Sequence, residues 1–327
     1  MNYGDLIKDA FWLTLRNRYL WFFGFFAGGT STGVTNFNIP SGGPGGFDDE
    51  DFGEPGGGDF RSQVSGQGFD PGQLMSDNLI LILGIITLIV LVVLFFIVMT
   101  LISQGALAES VAAIDRNESR RFSSAFRAGV SNFWRVLGYY LLFILIVLGL
   151  LLSIGIPIAL LVVGVFAGTE STGARIATAV LAGLTVIVIL IVVFIPLSII
   201  GQFALREIVV GRTGVVGSVG SGYRLFRRNL GRSLLVWLIQ VALSIGAGIV
   251  LLIVLLILGF ILFLPTIILA VAGYATAAIV AGIVAALILL PILIVASGAL
   301  GTFSHSYWTL AYLRLVSPIE RATVQEV

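Results

Sequence analysis

The chain has no cysteine, a single histidine and very little charge. Without cysteine there are no disulfides and no thiolate-held metals. The lone His305 offers too few nitrogen ligands for the usual zinc arrangements. Charged residues make up 11% of the sequence, against about 25% in soluble domains. The stretches 79–107, 136–166, 176–203, 233–263 and 276–300 contain no Asp, Glu, Lys or Arg. There is no HExxH, no GxSxG, no pair of aspartates within an apolar run and no Walker lysine. Catalysis needs donors, acceptors or nucleophiles within reach of one another, so the expectation is a non-enzymatic chain without a cofactor.

What the sequence does contain is apolar length. Hydrophobic residues account for 58% and mean hydropathy is +1.08. A membrane-spanning helix needs about 20 apolar residues, and the five stretches above meet that length. A sixth, 19–34, is short and ends in glycine. Residues 1–327 therefore read as one integral membrane domain, a polytopic all-α helix bundle of six spans. In that arrangement Arg61 and Arg175 fall on one side and the other 16 of the 18 basic residues on the opposite side. Basic short loops stay cytoplasmic. The expected placement is a multi-pass protein of the bacterial cytoplasmic membrane with both termini inside. Lys8, Arg16 and Arg18 followed by 19–27 imitate a signal peptide, but Phe25 lies where a cut after Ala27 wants a small residue.

Three segments leading into apolar runs share a pattern: Ala10-Phe11-x5-Asn17, Ala125-Phe126-x5-Asn132 and Gly222-Tyr223-x5-Asn229. Gln104, Leu107 and Glu109 are spaced like Gln202, Leu205 and Glu207 where two runs end. The expected architecture is three repeated hairpins, each preceded by an amphipathic helix lying in the plane of the cytoplasmic leaflet. Phe122, Ala125, Phe126, Val130, Phe133 and Trp134 fall on one helical face, as do Tyr3, Leu6, Ile7, Ala10 and Phe11. Five glycines between 211 and 222 predict that the third of these segments is partly loop.

Residues 28–77 are Gly/Pro-rich and carry eight acids against Arg61, a net charge of −7. They read as a disordered extracytoplasmic loop, and 317–327 as a short cytoplasmic tail. Pro157 and Pro265 mark where over-long helices bend or stop. Gly273, Ala277, Ala281 and Ala285, with Ala278, Gly282 and Ala286 beside them, predict a close-packed seam within the bundle or between protomers.

Several residues invite a functional reading. Gln240 is the most polar group at depth and reads as an interhelical hydrogen bond. Glu109 and Glu207 stand at matching ends of apolar runs. They form either a gate or headgroup site with Arg135 and Arg232, or structural pairs. His305, among Ser304, Ser306, Tyr307 and Trp308, reads as an interfacial anchor. The largest signal is the arginine set: Arg120, Arg121, Arg127 and Arg135 in one loop region and Arg224, Arg227, Arg228 and Arg232 in another, with Arg116 and Arg212 nearby. Guanidinium forks suit phosphate, and juxtamembrane basic residues attract anionic lipid. Dispersed between membrane-flanking segments, they give no support to nucleic-acid binding. Gly217-x-x-Gly220-x-Gly222 has no preceding strand and no following lysine. The Asp49-x-Asp51 run lacks calcium-loop ligands, with Phe60 at the twelfth position.

The segments FSSAFRAGVSNFWRVLGYYLL (122–142) and GSGYRLFRRNLGRSLLVWL (220–238) resemble those of the bacterial membrane domain found beside glycerophosphoryl diester phosphodiesterases, and of related stand-alone six-helix proteins. The opening 1–29, with Trp21-Phe22-Phe23-Gly24, is similar to a stand-alone branch. The resemblance implies a lipid-facing membrane module without catalytic residues, since in that group hydrolysis belongs to a separate soluble domain. Together these readings predict a protein that engages anionic lipid, a partner membrane protein or a second copy of itself through Arg-rich amphipathic helices. The alternative is a permease or lipid-translocating protein with a path lined by Gln240 and the Ser/Thr residues of the spans.

Overall fold

The computed structural model describes the backbone of residues 2–31 and 79–325, and among these every regular element is helical. The elements are α1 (Tyr3–Arg16), α2 (Leu20–Ser31), α3 (Leu79–Asp115), α4 (Phe122–Gly168), α5 (Thr172–Ile189), a π-helical turn (Leu190–Phe194), α6 (Ile195–Val209), α7 (Val215–Arg228), α8 (Leu230–Val271) and α9 (Ala275–Gln325). Cα packing divides the chain into Met1–Asn36 with Met99–Val327, and Phe37–Val98. The contacts that follow all lie within the first unit. Most of the acidic segment 28–77 is outside the described residues; α2 extends three residues past its expected start, and α9 runs on into the expected tail.

Five described helical segments are long and apolar enough to cross a membrane: Leu83–Asp115, Phe122–Gly168, Thr172–Val209, Leu230–Val271 and Ala275–Val316. With 12 residues, α2 is shorter than the roughly 20 a span requires. At about 1.5 Å per residue, the 47-residue α4 is about 70 Å long, more than twice a hydrocarbon core of about 30 Å. The long helices therefore extend well past any bilayer.

The protein packs at one end of these helices. Buried side chains concentrate in 101–113 of α3, 125–139 of α4, 199–209 of α6, 233–240 of α8 and 302–315 of α9. With α1 and α2 they form the core around Leu6, Phe23, Leu107, Phe203, Tyr307 and Trp308. Over 141–195 and 245–295 large apolar side chains stay exposed. We call these the packed end and the open end. At the open end α4 pairs with α5 and α8 with α9, and the two pairs meet chiefly through α6 at the packed end.

Close backbone approach explains part of the packing. A Cβ on Gly24 would lie 2.1 Å from the Gly298 carbonyl oxygen, and one on Gly301 would lie 2.0 Å from that of Gly24. So α2 and α9 touch backbone to backbone, which small residues permit between membrane helices. Thr302 Oγ1 donates to the Leu20 carbonyl at 2.9 Å across the same crossing. The seam expected farther along α9 is only partly built: Ala278 and Ala285 are buried, while Gly282 faces Thr266 of α8.

Three local expectations change. Residues 211–214 are non-helical, as expected in part, but 215–228 is a helix throughout, because Ser218, Gly222, Leu225 and Phe226 form a stripe packed against α6. There Gly222 is an asset: a Cβ on it would sit 2.9 Å from the Ile200 carbonyl oxygen. Pro157 and Pro265 leave α4 and α8 unbroken. Among the described prolines, only Pro196 has an irregularity, the π turn immediately before it, whose wider winding accommodates the missing N–H and the ring. Finally, the apolar face of α1 is covered by protein: Leu6, Ala10 and Leu13 are buried in the core with α9, and Phe11 and Trp12 point away.

Candidate functional site

Two arrangements of polar side chains stand out at the packed end. The first is internal. Arg206 of α6 is fully buried and no described carboxylate lies within ion-pair distance of it. Its Nη1 donates to the carbonyl and Oε1 of Gln202, and its Nη2 lies 3.4 Å from His305 Nδ1. His305 Nε2 contacts the Ala27 carbonyl at 3.2 Å. A carbonyl only accepts, so Nε2 carries the hydrogen and Nδ1 is free to accept from Arg206. Gln104 Nε2 donates to the same carbonyl. One polar chain thus links α6, α9, α2 and α3. His305 is not the interfacial anchor its neighbours in sequence suggested; it is fully buried. Gln240 does form the expected interhelical bond, donating to Ser304 Oγ at 2.6 Å.

The second arrangement opens to the surface. A pocket of about 410 Å³ is lined by Glu109, Ala112, Arg116, Glu118, Arg120, Val209, Val210 and Arg212. Two turns build it. After α3 the Glu118 amide reaches the Ala113 carbonyl at 3.0 Å with Asn117 at φ +63°, a left-handed helix stop that asparagine tolerates. After α6 the Gly211 and Thr213 amides reach back to the carbonyls of Arg206 and Glu207, and Arg212 sits at φ +53°. Glu118 accepts from Arg116 Nε at 3.0 Å and from Arg120 Nη2 at 3.2 Å. The Arg116 hydrogen bond in particular holds the exposed Glu118 carboxyl below its usual pKa. Glu109 accepts from Asn132 Nδ2 at 2.8 Å and lies 3.9 Å from Arg120.

The structure therefore distributes the sequence candidates unevenly. Glu109 meets Arg120 and not Arg135. Glu207 is taken by the Tyr312 hydroxyl and not by Arg232. Arg121, Arg127, Arg135, Arg224, Arg227, Arg228 and Arg232 are exposed, and none forms an ion pair with a described carboxylate. Arg206 went unnoticed in the sequence because it follows the apolar run 176–203 and adjoins Glu207, where an interfacial charge is ordinary. The one available signal was its four-residue spacing from Gln202.

The family of unknown function DUF7544 matches residues 16–318. The chain belongs to that family. No curated protein and no solved structure matches it. For this DUF7544 member, placement of the site rests on its own geometry.

Proposed function

We propose that this DUF7544 chain is a non-enzymatic integral membrane protein whose packed end faces the cytoplasm and engages anionic lipid headgroups through exposed arginines. The observation that carries the reading is the set of seven exposed arginines, unpaired with described carboxylates, on the helices next to the apolar spans. Cations left without internal partners are available to phosphate, at roughly 1 kcal/mol for each one near an anionic surface. Exposed Trp134 on α4 and Trp12 on α1 suit the headgroup boundary.

In this reading α2 opens the first of three hairpins, giving six spans. Support comes from the repeated positions. Ala10, Ala125 and Gly222 are all buried. Asn17, Asn132 and Asn229 each donate Nδ2 to the carbonyl four residues back. The likeness to the membrane domain of the phosphodiesterase group fits the same module, with a partner membrane protein or a second copy as further company.

Native mass spectrometry of protein released with its lipids tests the reading. Replacing Arg121, Arg127, Arg224, Arg227 and Arg228 by Gln is expected to strip anionic lipid from the complex. Unchanged lipid content would overturn it. Translocation of a solute is the second reading, favoured by buried Arg206 and His305, because ionisable groups within membrane helices often mark transport paths. A non-lipid solute retained at one copy per chain would favour it.

A further inference from the structure

We propose that the pocket between the α3–α4 and α6–α7 turns is a phosphoryl-binding site, in which Arg116, Arg120 and Arg212 hold the phosphate of a lipid headgroup or of a free phosphomonoester. The proposal rests on the lipid-engaging reading and narrows it to one place and one chemical group.

Volume and charge agree. At about 410 Å³ the cavity lies within the roughly 300–1,000 Å³ typical of small-ligand sites. Three arginines and two glutamates line it, leaving one net positive charge. The carboxylates are engaged: Glu118 binds Arg116 and Arg120, and Glu109 is held by Asn132. They hold the arginines in place while leaving donors over, since each guanidinium carries five N–H groups. No aromatic side chain lines the cavity, so it offers no stacking platform for a base. A divalent cation would meet three arginines. An oxyanion is the ligand this composition favours.

Arg212 supplies the independent observation. It has φ +53°, a conformation that costs a side-chain-bearing residue and that glycine adopts freely. It forms no ion pair with a described carboxylate, and it is one of the residues lining the cavity. A long cationic side chain at a backbone position better suited to glycine points to a use for the charge itself.

The test uses the full chain in nonionic detergent, stripped of lipid and titrated with inorganic phosphate by calorimetry. Saturable binding that weakens with salt is expected. Arg212→Gly should reduce the affinity about tenfold, the factor associated with losing a charge-assisted hydrogen bond, without lowering the apparent Tm. Glu109→Gln should tighten binding by removing a competing carboxylate. Arg116→Gln, on an exposed turn, provides a second variant with little risk to folding. The same proteins in phosphatidylcholine nanodiscs with and without phosphatidic acid separate the sources. If phosphatidic acid binds in an Arg212-dependent way and free phosphate does not, the ligand is a headgroup. If phosphate binds in that way and the exposed-arginine variant keeps its lipid, the pocket stands and the general lipid reading falls. Binding of both ligands unchanged in Arg212→Gly and Arg116→Gln overturns the proposal, as does no binding of either.

Discussion

The packed and open ends are built from the same few helices and behave differently. At the packed end buried positions are often small or polar: Gly24, Gly129, Gly222, Gly298 and Gly301 admit backbones to contact, and Thr302, Gln240, His305 and Tyr139 bond across helices. At the open end Leu, Ile and Val dominate, and Leu160, Val192, Leu252 and Ile279 are exposed. The open-end sequence is more hydrophobic and yet packs less. Lipid tails are as apolar as leucine, so hydrophobicity gives neighbouring helices no reason to associate. Shape and hydrogen bonds do.

That comparison can be broken by making one substitution at both ends. Gly301→Ala places a methyl on the Gly24 backbone, where neither chain has a flexible group to move. The expected loss is about 3 kcal/mol or more, read as a collapse of apparent Tm in detergent. Gly164→Ala meets nothing within 4 Å and should change stability by no more than about 0.5–1 kcal/mol, with helix propensity favouring alanine. Comparable losses at both sites would remove the distinction.

Smaller effects sharpen it. Gln240→Leu removes the bond to Ser304 and should cost about 0.6–1.7 kcal/mol, the range of interhelical hydrogen bonds in membranes. Tyr139→Phe removes the hydroxyl donated to the Gly201 carbonyl at 2.8 Å and should cost about 1 kcal/mol. Leu160→Ala at the open end should stay within about 0.5 kcal/mol. Denaturant titrations in one detergent rank the three. The least effect belongs to the pocket rim. Because its folded pKa is depressed, Glu118 contributes stability above its ordinary value of 4.5 and loses it as pH falls below that value through the folded pKa. A wild-type Tm profile should therefore fall slightly more steeply on the acid side than that of Glu118→Gln.

Much of this was legible in the sequence. Apolar length located five candidate spans; the amphipathic spacing at 122–134 placed Ala125 on the buried side, but Phe122, Val130 and Trp134 of that face are exposed and the segment runs unbroken into the apolar part of α4. Gln240 was recognisable because a carboxamide deep in an apolar run requires a partner. Other features were hidden by their locality. The glycines at 211–222 lower helix propensity, and only the facing α6 backbone turns Gly222 into a packing residue. Glu109 and Glu207 occupy matching places in sequence, yet one is held by Asn132 and the other by Tyr312. Partner identity depends on which helix crosses, and spacing carries no record of that.

By itself the sequence determined that this is an all-α chain with several apolar helices suited to a membrane and arginines at their flanks, because composition and period act over a turn or two. The tertiary structure decided which charges went inside and which came together. Thr302 bonds to Leu20 across 282 positions, and that α2–α9 crossing helps enclose His305 and Arg206. Two turns nearly a hundred residues apart bring Arg116, Arg120 and Arg212 to one cavity. Such meetings are set by how helix surfaces fit, which no local stretch of sequence specifies.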